Sequence, residues 1–175
     1  MNQIELKALA KINLGLDVLG KRENGYHDVR MIMQSIYLYD EVKIEKKDTP
    51  EIEVVSNLNF LPMGEDNIAY KAARLLQEEF KISDGVKITL KKHIPVAAGL
   101  AGGSSNAAAV LFGMNRMFRL GLSQKSLMER GVKLGADVPY CIMRGTVLAE
   151  GIGEELHKLP AMPKCTVLIA KPPVS

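Results

Sequence analysis

Residues 4–19 interleave apolar, β-branched and polar positions and predict one or two strands. Residues 29–46 predict two more, broken near Tyr39-Asp40, and residues 51–56 alternate as a further short strand. Between the first two groups, Lys21-Arg22-Glu23-Asn24-Gly25 reads as a turn, with Asn24-Gly25 supplying positive φ angles. The period changes at Asn67. Ile68, Ala72, Leu75, Leu76 and Phe80 fall on one face of a helix that Asp66 or Asn67 can cap. Val86, Ile88 and Leu90 line one face of a strand over residues 85–92. The clearest helix follows, with Ala107, Val110, Leu111, Met114, Met117 and Phe118 as its apolar face and Ser104 as the expected N-cap. Ser123 starts another helix that stops near Gly135, and residues 145–149 and 164–170 return to strand character. Strands first, with helices packed against them, predict a two-layer α+β domain.

Composition narrows the classes without choosing one. The chain has 175 residues, 47% of them hydrophobic and 25% charged, which matches one globular domain and excludes disorder. No apolar run reaches the roughly 18 residues of a membrane span, and the first residues lack a secretory pattern. The net charge of +3 gives little case for nucleic-acid binding. The densest basic pairs, Lys46-Lys47 and Lys91-Lys92, read as solvated strand ends, the competing reading being a polyanion-binding patch. Cys141 and Cys165 form neither a CxxC motif nor a disulfide framework, which predicts a reducing, cytoplasmic setting. His27, His93 and His157 lack metal spacing.

The segment Pro95-Val96-Ala97-Ala98-Gly99-Leu100-Ala101-Gly102-Gly103-Ser104-Ser105 lies between a strand and the strongest helix. Residues without a Cβ let backbone amides approach a ligand, and a helix start presents unpaired N–H groups with about +0.5 of a charge. Together they predict an anion site with phosphate as its guest; a tight connection that uses glycine only for its angles is the plainer alternative. Neither GxxxxGK[ST] nor GxGxxG after the first strand is present, and protein-kinase signatures are missing. Asp137 precedes Val138-Pro139 and reads equally well as a helix N-cap or as a base. Lys11, inside an apolar strand, reads as an edge charge facing water or as a functional lysine sharing its strand face with Asn13.

These segments carry a resemblance. The loop from Pro95 to Ser105 resembles the second motif of the galactokinase, homoserine kinase, mevalonate kinase and phosphomevalonate kinase (GHMP) superfamily. Ala8-Leu9-Ala10-Lys11-Ile12-Asn13-Leu14, Gly25-Tyr26-His27 and Gly135-Ala136-Asp137-Val138-Pro139 resemble the branch that acts on a cytidine-diphosphate-linked methylerythritol. Four motifs run in order from residue 8 to residue 139, and Ala101 departs from the glycine-richest members only by a methyl. The resemblance implies the superfamily's amino-terminal domain over 1–175, a fold like the second domain of ribosomal protein S5 with a left-handed βαβ crossover. It implies ATP-dependent phosphorylation of the 2-hydroxyl of 4-diphosphocytidyl-2-C-methyl-D-erythritol, a step toward isoprenoid precursors, with Mg²⁺ carried by ATP.

Residue by residue, the resemblance implies that the loop 95–105 holds the ATP phosphates and Asp137 accepts the hydroxyl proton, with Lys11 beside it. Asn13, Tyr26, His27 and Met33 would bind substrate, the tyrosine and histidine at its cytidine end, and Asn67 would lie near the adenine. No nucleic-acid or membrane partner is expected. The ending Pro172-Pro173-Val174-Ser175 reads as the point where a second lobe begins, so the isolated chain is expected to be weakly active. The competing readings are a sister kinase for mevalonate, homoserine or a sugar, and a non-catalytic module that contacts RNA.

Overall fold

The computed structural model describes residues 1–22, 25 and 27–170. Asn24, Tyr26 and the ending Pro172–Ser175 therefore lie outside the described residues. In chain order the elements are β1 (Gln3–Lys21), β2 (His27–Lys47), β3 (Ile52–Ser56), α1 (Ile68–Glu79), β4 (Gly85–Lys91), α2 (Gly102–Met117), α3 (Gln124–Val132), α4 (Val138–Met143), β5 (Thr146–Glu150) and β6 (Glu155–Lys158). Among the described residues, none of these helices is long and apolar enough to cross a membrane.

The sheet is built around β2. One edge of β2 pairs antiparallel with β1 along nearly its whole length, from Gln3↔Glu45 to Lys21↔His27. Its other edge is shared: residues 41–47 pair with β4 and residues 31–34 with β5. β3 joins β4 in parallel, and β6 joins β5 antiparallel. The parallel β3–β4 pair requires a crossover, which α1 supplies.

The helices cover one face of this sheet. Val42, Ile44, Val86 and Ile88 meet Ala69, Ala72, Leu76, Val110, Leu111 and Met114 in one core. α2 lies so close to the β1–β2 ladder that a Cβ on Gly113 would stand 2.5 Å from Ile44 Cδ1. The opposite face stays open, with Tyr37 exposed and its ring edge-on to Tyr39. The result is the two-layer α+β domain that the strand and helix pattern predicts.

Four local expectations differ. Residues 29–46 form one strand rather than two. The pairing moves from Leu9↔Tyr39 to Lys11↔Ser35, so that Ile36, Tyr37 and Leu38 stand opposite Ala10 alone. What looks like a strand end in the sequence is a bulge, which bends the strand without ending it. Residues 164–170 are not a strand. Their apolar composition finds no neighbouring strand edge, and Leu168 is 92% exposed. Ser104 is not the N-cap, because α2 begins at Gly102 behind a left-handed Ala101. β6 is absent from the sequence reading, and the short α4 enters it only as the helix start that Asp137 would cap.

Candidate active site

The bulge in β2 decides where Lys11 points. It releases backbone groups of β1 from the ladder, and the glycine-rich segment takes them. The Lys11 amide donates to the Leu100 carbonyl at 3.1 Å, and Ser105 Oγ donates to the Leu9 carbonyl at 2.6 Å. Beneath the segment, Leu100 packs with Ala10 and Ile94, and with the bulged Ile36 and Leu38. Lys11 is thus a buried lysine, its side chain only 9% exposed, and not an edge charge facing water. Its Nζ lies 3.4 Å from Asn13 Oδ1, the residue two places along the same strand face, and 3.9 Å from Asp137 Oδ2.

Asp137 stands at the head of α4, with Pro139 in the first turn as the sequence suggests. It occupies the cap position, yet its side chain makes no capping hydrogen bond. The carboxylate is one-third exposed and turned toward Lys11. Tyr140, one turn further on, anchors the helix. Its phenol donates to the Gly145 carbonyl at 2.8 Å and lies 3.0 Å from Ser35 Oγ, and Ser35 is the cross-strand partner of Lys11. Burial pushes this phenol up to about 12, against the opposing effect of the Ser35 hydrogen bond. Burial also pushes the neighbouring Cys141 thiol up to about 12, with Asp137 adding to the rise. Both groups are uncharged near neutral pH.

The glycine-rich segment folds through three left-handed residues, Ala97 (φ 55°), Gly99 (φ 72°) and Ala101 (φ 55°). Holding an alanine there costs roughly 1–2 kcal/mol, a strain of the kind that clusters at ligand sites. Gly102 sits in a crowded position, where a Cβ would stand 3.2 Å from both Lys92 Nζ and Ile94 Cγ2. The first-turn amides of α2 lack helical acceptors and face outward at the positive end of a sixteen-residue helix. They border a cavity of about 480 Å³ whose walls also include Lys11, Asp137, Asn67, Asp66 and Lys92. Such a cavity can hold an anion against the helix start while presenting a carboxylate and an ammonium to it.

The structure thus brings together Lys11, Asn13, Asp137 and the segment 95–104. Ser105 lies just behind them, bonded to the Leu9 carbonyl. Asn67 lines the cavity, but its amide is already engaged: it caps α1 by accepting from the Ala69 amide and donates to the Pro62 carbonyl. Met33 is not a cavity wall. It lies opposite Asn13 in the β1–β2 ladder, 1% exposed within the core, because the odd-numbered positions Met31 and Met33 turn inward in this part of β2. His27 is exposed at the start of β2, paired with Lys21, and Tyr26 lies outside the described residues.

Three residues escape the sequence reading. Asp40, Lys92 and Asn106 form a buried polar cluster behind the segment. Lys92 is therefore no solvated strand end, although Lys91 beside it is exposed and pairs with Glu41. The signal in the sequence is Asp40, which shares the alternation of Val42 and Ile44 and so falls on the apolar face of its strand, where a carboxylate needs a buried partner.

Residues 67–145 match the family model described as the GHMP kinases N terminal domain. The chain is 58% identical over 175 residues to 4-diphosphocytidyl-2-C-methyl-D-erythritol kinase of Lachnospira eligens, covering all of this chain and 61% of the relative. It is 61% identical to the protein of the same name from Lachnoclostridium phytofermentans, 60% of which is covered. A crystal structure of 4-(cytidine 5'-diphospho)-2C-methyl-D-erythritol kinase superimposes with a TM-score of 0.78 at 36% identity, over 89% of this chain and 55% of that one. Homoserine kinase from Cytophaga hutchinsonii shares the fold, with a TM-score of 0.69 at 21% identity over 91% of this chain and 52% of that one. The chain spans about three-fifths of the length of the curated relatives it matches.

Proposed function

We propose that this chain, which carries the amino-terminal domain of the GHMP kinases, contributes to ATP-dependent phosphorylation of the 2-hydroxyl of 4-diphosphocytidyl-2-C-methyl-D-erythritol. One observation carries the chemistry: a buried lysine 3.9 Å from a carboxylate that its helix leaves uncapped, beside an anion-binding helix start in the same cavity. The substrate follows from the whole-chain identity of 58% and 61% to relatives that bear that substrate in their names.

In this scheme Asp137 accepts the proton of the substrate hydroxyl as its oxygen bonds to the γ-phosphorus. The bond from that phosphorus to the β,γ-bridging oxygen breaks, and ADP leaves with the electron pair. Lys11, held by Asn13, orients the carboxylate and offsets charge on the attacking oxygen. The amides of 99–104 stabilise the triphosphate as charge moves toward ADP. A positioned base of this kind contributes about 10²–10⁴ in rate. Mg²⁺ fits as an ion carried by the nucleotide: Asp137 and the Ser104 hydroxyl are hard oxygen donors near the phosphates, and most of its ligands would be phosphate and water. When bound it neutralises phosphate charge. Asn13 and His27, with Tyr26, serve the substrate side, and Asn67 serves the adenine side through the backbone it caps. In this scheme a second lobe, which the further length of the relatives would supply, closes the cleft. A reducing cytoplasm suits the two free cysteines.

The test is a panel of alcohols offered with ATP and Mg²⁺, with products identified by ³¹P NMR. We expect a new phosphomonoester only from the cytidyl compound. Turnover of mevalonate, homoserine or a sugar in its place would sink the assignment.

A further inference from the structure

The cluster of Asp40, Lys92 and Asn106 takes no part in the proton and phosphoryl transfers, yet two of its members line the same cavity. Asp40 is fully buried and accepts four hydrogen bonds. One oxygen takes the backbone amides of His93 at 2.7 Å and Ile94 at 2.9 Å. The other takes Asn106 Nδ2 at 2.9 Å and the Lys92 ammonium. Lys92 Nζ also donates to Asn106 Oδ1 at 2.8 Å. Asn57 holds the Lys92 backbone from both sides, accepting its amide at 2.8 Å and donating to its carbonyl at 3.2 Å.

These bonds have a pattern. Lys92, His93 and Ile94 lead into the glycine-rich segment, while Asn106 sits in the first turns of the helix that leaves it. One carboxylate thus grips both ends. The ammonium also lies directly under Gly102, where its charge opposes the helix's own positive end. For stability alone, apolar side chains would serve as well as a buried ion pair. The pair is neutral as a whole, but it turns its ammonium end toward the cavity, where Lys92 is a wall and Asp40 is not.

We propose that Asp40, Lys92 and Asn106 act as a clamp that fixes the span of the glycine-rich segment, with Lys92 as a positioning residue for the bound triphosphate. The inference rests on the nucleotide reading above. A rigid span keeps the three left-handed residues and the first-turn amides of α2 aimed at one point before any ligand arrives, which removes an ordering cost from binding.

The test uses the 175-residue chain, the variant Asn106→Ala and the double variant Asp40→Asn with Lys92→Met, which removes both charges together. Calorimetry with inorganic tripolyphosphate and with adenosine separates phosphate from base recognition. Amide exchange at Lys11, whose acceptor is the Leu100 carbonyl of the segment, reports on its rigidity. In both variants we expect at least ~10-fold weaker tripolyphosphate binding, adenosine affinity within ~2-fold, and faster exchange at Lys11 but not at Ile88. Equal losses for both probes, or none, would overturn the clamp. If the unaltered chain binds neither probe, the nucleotide reading fails by itself. Exchange then decides the clamp: faster at Lys11 supports it, and unchanged rates refute it. Should the double variant not fold, Asn106→Ala, which leaves the ion pair intact on a regular helix, carries the same readouts.

Discussion

Asn13, Lys11 and Asp137 stand in series, with the lysine 3.4 Å from one neighbour and 3.9 Å from the other. Replacing Asp137 by asparagine keeps its size and leaves Lys11 its bond to Asn13, but removes the proton acceptor. Turnover by Asp137→Asn should fall at least ~100-fold, with affinity for a non-hydrolysable ATP analogue within ~3-fold. Steady-state kinetics paired with calorimetry check both halves. Near-normal turnover would exclude Asp137 as the base. The pairing is legible in the sequence only through the family resemblance; by themselves the lysine reads also as an edge charge and the aspartate as a helix cap. What the sequence could not give is the burial of Lys11. That follows from a bulge on the partner strand at Ile36–Leu38, just before Tyr39-Asp40, where the sequence reads as a strand end.

At the scale of elements, α2 is placed by what it lacks. A methyl on Gly113 would press on Ile44 Cδ1 at 2.5 Å, with Leu6 Cδ1 at 3.1 Å and Ile4 Cγ2 at 3.4 Å behind it, so the fully buried Ile44 side chain must shift within the core. Overpacking of this sort costs about 1–3 kcal/mol, against a gain of about 1 kcal/mol from alanine's helix propensity. Gly113→Ala should therefore lose about 1 kcal/mol overall, seen as a lower urea midpoint with an unchanged slope. A midpoint at or above that of the parent would show that the ladder yields more readily than its packing suggests. Periodicity found α1, α2 and β4, and the cap residue Ser123 marked α3. It missed α4, too short at six residues to show a period, and misread 164–170, where apolar residues have no strand edge to join.

Across the whole molecule, α1 and α3 are fastened by Arg130, which donates to the Glu79 carboxylate and to the Ser126 carbonyl. The Arg130 hydrogen bond holds Glu79 below the usual glutamate range, with burial opposing it. The folded value is therefore lower than the unfolded one. The pair stabilises the fold fully above pH ~4.5 and loses that contribution as pH falls through the folded value. Glu79 is 38% exposed, so solvent screening limits the effect to under about 1 kcal/mol. Glu79→Gln should lower stability slightly at pH 7 and give a shallower decline below pH 4.5, measured by urea unfolding across pH. An unchanged acid limb would mean that other carboxylates govern it.

The shared outer edge of β2 has a consequence for how the chain is made. Residues 31–34 of that edge wait for β5, and Gln34 meets Thr146 across 112 positions of sequence. At about 5–20 residues per second, the ribosome leaves that edge bare for roughly 6–20 seconds. A strand carrying Met31 and Met33 with open amides is, for that interval, a template for pairing with a neighbouring nascent chain. The strand that organises the finished sheet is also the part of the newborn polypeptide most in need of a chaperone.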